Sequence, residues 1–131
     1  MPARVLVDTS AWIDALRSDG DPDMRASVRA ATLEDRAVLC DMVLLELWNG
    51  ARGTSEQRFL QGLERDLEKV PTPPVVWETA SKLARTCRAA GFSAPATDLL
   101  IAACAMYHDL DILHRDKHFD HIVKAYRQDR P

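Results

Sequence analysis

Asp8 ends the run Val5-Leu6-Val7, and Glu46 sits inside Met42-Val43-Leu44-Leu45-Glu46-Leu47-Trp48. Asp98 opens Leu99-Leu100-Ile101-Ala102-Ala103, and Asp116 closely follows Ile112-Leu113. Soluble proteins rarely place charge in such apolar surroundings. Two like charges roughly 4 Å apart repel by about 4 kcal/mol at the effective dielectric of a protein, so four gathered carboxylates cannot all stay ionised without cations. One site holding all four therefore predicts a metal.

Each acid also has a plainer reading. Asp8 suits a turn or helix cap, Asp98 the acid-favouring first turn of a helix, and Asp116 the cap of a last helix. Glu46 is harder to explain away. It lies mid-helix among six apolar neighbours, where an unpaired buried carboxylate costs several kcal/mol or takes up a proton, unless a buried arginine pairs with it. A shared divalent-ion site accounts for all four acids at once. Oxygen-only ligands favour Mg²⁺ or Mn²⁺ over Zn²⁺, and Mg²⁺ typically binds substrate phosphate oxygens beside one or two carboxylates. A phosphoester substrate follows, with one or two ions activating water and stabilising the leaving oxygen of an in-line displacement.

His114, His118 and His121 offer a rival site, since spacings of four and three residues would align three imidazoles on one helix for zinc or nickel. His114, however, ends an expected strand. Taken off the helix, it leaves His118 and His121 as an ordinary solvated pair. Metal-free acid–base cleavage by histidines is a further possibility, but it leaves the carboxylates unexplained.

The acids must be positioned by a fold. Val5-Leu6-Val7 reads as a strand buried on both faces, ended by the cap-like Asp8-Thr9-Ser10 and followed by a helix from Ala11 to Arg17. A loop at Ser18-Asp19-Gly20-Asp21-Pro22 leads to a helix from Asp23 to Asp35 and a strand Ala37-Val38-Leu39-Cys40. Asp41 is expected to cap a helix running to about Arg52, apolar enough that most of its surface should be covered. Ser55 to Leu67 is another helix, broken by Pro71-Thr72-Pro73-Pro74. Trp77, Ala80, Leu83, Ala84 and Cys87 should line the inner face of the next, which Gly91 stops. Thr97 is expected to cap a core helix from Asp98 to His108. Asp111-Ile112-Leu113-His114 then forms a short strand, and His118 to about Tyr126 a last helix. Alternating strands and helices imply an α/β sandwich with a mainly parallel sheet, whose ligands bind beyond the carboxyl ends of the strands.

The 131 residues fit one domain spanning 1–131. Cys40, Cys87 and Cys104 are odd in number and lack metal-knuckle spacing, which fits buried thiols in a reducing cytoplasm. No signal peptide or membrane span is recognisable. Net charge is −3, from 17 basic and 20 acidic side chains, which superficially disfavours a nucleic-acid partner. Setting the four acids aside leaves the remainder at +1, so local charge must decide.

Val7-Asp8-Thr9-Ser10-Ala11-Trp12-Ile13, Glu46, Thr97-Asp98-Leu99-Leu100-Ile101-Ala102-Ala103 and His114-Arg115-Asp116-Lys117-His118-Phe119 together resemble the PIN-domain ribonucleases, and within them the VapC-type toxins of toxin–antitoxin modules. The resemblance covers essentially the whole chain. It implies a PIN-like α/β/α sandwich with four or five short strands, in which Asp8, Glu46, Asp98 and Asp116 bind Mg²⁺, or Mn²⁺ in its place, for endonucleolytic cleavage of RNA. Transfer RNA is the leading substrate class, and the products carry 5′-phosphate and 3′-hydroxyl ends. Ser10 is expected to support Asp8 or the water, with Thr9 as a neighbour. Arg115 and Lys117 are candidate phosphate contacts. A VapB-type antitoxin is implied as partner, with a homodimer and an inhibitory segment whose basic side chain pairs with the acids. Two features depart from the family: His114 stands where many members carry serine or threonine, and the tail Arg127-Gln128-Asp129-Arg130-Pro131 lacks an apolar closing strand.

Two other classes compete. A haloacid-dehalogenase-type phosphatase needs a second aspartate at the position of Ser10. A non-catalytic PIN-like module that only recruits RNA or protein has no need of all four acids.

Overall fold

Three β-branched or leucine-rich runs and one polar one make the sheet. In the computed structural model, which describes residues 3–129, these are β1 (Val5–Val7), β2 (Ala37–Cys40), β3 (Glu68–Val70) and β4 (Asp111–Leu113). They pair in the order β3-β2-β1-β4, every neighbour parallel. Leu6, Val7 and Leu39 are fully buried, as strands covered on both faces require.

Among the described residues seven helices connect and cover the strands: α1 (Thr9–Leu16), α2 (Pro22–Leu33), α3 (Asp41–Asn49), α4 (Gly53–Asp66), α5 (Pro74–Ala89), α6 (Ala96–Tyr107) and α7 (Lys117–Asp129). Helix α1 packs on α2 and α3, while α5 packs on α6 and α7. Because β2 and β4 flank β1 on opposite sides, the chain changes direction at β1, and the crevice beyond its carboxyl end is the ligand position of such sheets. Asp8 lies there, its N–H donating to the Leu113 carbonyl at 2.9 Å.

Several boundaries differ from expectation for physical reasons. Strand β3 escapes the sequence pattern because only Val70 of its three residues is buried, while exposed Glu68 and Lys69 pair with Arg4 (2.7 Å) and Asp41 (2.8 Å). Asp41 is the first residue of α3, not its cap, and α3 stops at Asn49, short of Arg52. Its surface is also less covered than its composition implies, with Leu45 at 62% exposure. Starting α5 at Pro74 turns its inner face onto Val76, Leu83 and Cys87, so Trp77 points outward at 56% exposure. Helix α6 starts behind Pro95, which frees the Thr97 side chain from a capping role. Helix α7 runs past Tyr126 to Asp129.

Gly91, with φ +98°, ends α5 in the left-handed conformation that favours glycine. Cys40, Cys87 and Cys104 are free and buried, and burial raises the Cys87 thiol. Among the described residues the sheet has four strands and no helix is long and apolar enough to cross a membrane. Of the tail, Arg130 and Pro131 lie outside the described residues.

Candidate active site

Beyond the sheet, four elements contribute one acid each. Asp8 leaves β1 as the cap of α1, with 3% of its surface exposed. Its Oδ2 accepts from the Ser10 N–H (3.0 Å) and the Ser10 hydroxyl (2.7 Å), while its Oδ1 is buried with no hydrogen-bond partner. Ser10 Oγ in turn accepts from the Arg115 N–H at 3.0 Å, tying the loop after β4 to the start of α1.

Glu46 is half-buried on α3 and held by hydroxyls. Thr9 donates to its Oε1 at 2.9 Å, and the Thr97 side chain also hydrogen-bonds it. Burial raises its carboxyl, these hydroxyls oppose the rise, and the charges of Asp8 and Asp116 add to it. Asp98, in the first turn of α6 and 7% exposed, is raised to about 8 by burial, then by a hydrogen bond with Asp116 and by the charges of Asp116, Asp8 and Glu46. Burial works against the Asp116 charge, yet the His118 N–H (2.9 Å) and the Asp98 carboxyl donating to it hold Asp116 below its ordinary value. The four acids thus feel one another, and a proton shared between Asp98 and Asp116 relieves part of their repulsion.

The remaining candidates fall into distinct places. Arg115 Nη1 contacts both Asp14 carboxylate oxygens at 3.0 Å, so this expected phosphate contact is engaged by α1. Asp14 also accepts from the Asp21 N–H at 3.0 Å, in a loop that needs glycine: a Cβ on Gly20 would lie 1.9 Å from the Asp14 carbonyl oxygen. Lys117 is exposed at the start of α7.

The three histidines part company. His114 Nδ1 accepts from the Asp116 N–H at 3.1 Å, doing by its ring what a serine or threonine hydroxyl does in such a turn, and the ring packs on Phe119. His121 packs edge-on against Phe92. His118 is no solvated partner of His121, because its Nδ1 lies 2.8 Å from Asp116 Oδ1 and 3.3 Å from Asp98 Oδ2.

Sequence reasoning weighed His118 only within a rival histidine site and set it aside as solvated, expected Thr97 only as a helix cap, and missed Asp14.

A divalent cation fits this donor set. Asp98, Asp116 and His118 each present a ligand atom within 4.8 Å of the others, and the orphaned Asp8 Oδ1 is a buried anionic oxygen still needing a partner. A carboxylate left so is costly unless a cation meets it.

Known proteins agree with the geometry. The PIN domain family profile matches residues 5–125. Ribonuclease VapC11 of Mycobacterium tuberculosis is 31% identical, the match covering 92% of this chain and 92% of VapC11. Ribonuclease VapC21 of the same organism is 33% identical, covering 98% of this chain and 92% of VapC21. The crystal structure of FitAcB from Neisseria gonorrhoeae shares the fold at a TM-score of 0.74 and 23% identity, covering 91% of this chain and 93% of that one. With a profile matched over nearly all its length, and with relatives this similar end to end, the chain belongs to the PIN-domain family, among the VapC ribonucleases.

Proposed function

We propose that this chain, working as a single PIN domain, is the toxin of a toxin–antitoxin pair, an endoribonuclease dependent on Mg²⁺ or Mn²⁺. It hydrolyses phosphodiester bonds of transfer or other structured RNA, leaving 5′-phosphate and 3′-hydroxyl ends. The observation that carries the reading is Asp8 Oδ1, buried and unpartnered among three further carboxyls.

Asp8, Glu46, Asp98 and Asp116 would hold the cation or cations. When bound, a divalent ion supplies Lewis acidity toward phosphoryl oxygens and makes water more acidic. The protein's own part is orientation and charge. Ser10 fixes the rotamer of Asp8, and Thr9 and Thr97 hold the Glu46 carboxylate facing the other acids. Asp98 holds the proton it shares with Asp116 and, with a cation in place, would give it up so that both carboxylates could serve as ligands. Lys117 meets substrate phosphate, with Arg115 fixing the loop beside it.

The partner is a VapB-type antitoxin whose basic side chain pairs with these same acids, in an assembly built on a toxin homodimer. A cytoplasmic location for the pair is part of the same reading, since its substrate is RNA. Purified protein is expected to cut RNA with Mg²⁺ or Mn²⁺ and to stop in EDTA. Full activity persisting in EDTA, or in Asp98→Asn, would contradict the proposal. Loss of Mn²⁺ binding with intact RNA binding would instead favour a recruiting module.

A further inference from the structure

Among the described residues, His118 brings a ring nitrogen close to carboxylate oxygens of two of the four acids. It is the second residue of α7, and its backbone N–H donates to Asp116 Oδ1, which fixes the start of its side chain against the acids. Its ring Nδ1 is buried and forms no well-directed hydrogen bond, although two carboxylate oxygens approach it. The separations of 2.8 and 3.3 Å also match neighbouring ligand atoms around a six-coordinate ion, which stand about 3 Å apart when each is about 2.1 Å from the metal. The buried, unpartnered Asp8 Oδ1, whose charge Asp98 feels, calls for a cation nearby, although it stands outside the three ligand atoms that lie within 4.8 Å of one another.

We infer that His118 Nδ1 is a ligand to the divalent ion, giving this site a mixed oxygen–nitrogen donor set that selects Mn²⁺ over Mg²⁺. The inference rests on the cation site proposed above and specifies what that site prefers. Mg²⁺ takes hard oxygen donors and keeps its waters, so an imidazole offers it little. A first-row transition ion gains from nitrogen, and manganese is the member of that series already suited to carboxylates and water. The ligating ring is neutral, bearing its proton on Nε2.

The test is electron spin-echo spectroscopy of Mn²⁺ bound to the full chain, read together with Mg²⁺ competition. Wild type is expected to show nitrogen coupling to Mn²⁺, and His118→Gln to retain Mn²⁺ without that coupling. The Mn²⁺-over-Mg²⁺ preference should fall about tenfold in the variant. His118→Asp, which restores an oxygen donor, guards against a folding defect and should bind both ions without nitrogen coupling. Bound Mn²⁺ lacking nitrogen coupling in wild type, or keeping it in His118→Gln, overturns the inference while leaving the acid site intact. Wild type binding no Mn²⁺, or binding it as well after Asp98→Asn, overturns the acid site and this inference with it.

Discussion

Helices α3 and α6 each deliver one acid to the site, yet they are built differently. In α6 every residue from Asp98 to Ala105 is buried, because α5 and α7 close over it while the sheet lies beneath. In α3 only Val43, Leu44 and Leu47 are buried, and Leu45 stands out at 62% exposure. The acids differ accordingly. Asp98 has almost no water and relieves its charge by keeping a proton against Asp116, whereas Glu46 is half-buried and is held by two threonine hydroxyls. Burial of the scaffold thus decides how each carboxylate is stabilised before any cation arrives.

Breaking the covered helix should cost most. Ile101→Ala removes a fully buried side chain from α6 and is expected to lose about 2–5 kcal/mol in denaturant unfolding. Asp98→Asn should leave the fold intact and cut the RNA cleavage rate about 100-fold or more. Thr9→Val strips one hydroxyl from Glu46, and a loss of about tenfold in cleavage is expected, read from initial rates. The smallest effect belongs to the open face of α3. Leu45→Lys should change unfolding free energy by no more than about 0.5 kcal/mol, and a larger loss would mean that this face is covered in solution.

A pH titration sharpens the same contrast. Without cation, Asp98 keeps its proton up to about 8, whereas an unfolded aspartate ionises near 4. The folded state binds the extra proton across that window. Its contribution to stability is therefore complete below about 4 and lost as pH rises toward 8. Asp98→Asn should flatten that slope in thermal unfolding curves, and a slope unchanged by the substitution would mean that Asp98 is not the proton's holder.

Much of this arrangement was legible in the residues. The parallel α/β class, three of the four strands and the apolar setting of Glu46 all follow from runs whose period and flanks leave little choice. What stayed hidden depends on partners distant in sequence. Strand β3 is polar because Arg4 and Asp41 meet its charges, Leu45 is apolar without being covered, and Trp77 sits one helical step off the inner face. The chemistry of the site shows the same division. Four acids announce themselves by context, but nothing in the order of letters says that Thr97 would turn to Glu46, or that His118 Nδ1 would stop 2.8 Å from Asp116.

One measurement tests most directly whether the four acids form one cation site primed by a shared proton. Mn²⁺ is titrated calorimetrically into the protein near pH 7 in two buffers of different ionisation heat. Binding with release of about one proton is predicted, with that release abolished in Asp98→Asn. No binding, or binding that releases no proton, would contradict it.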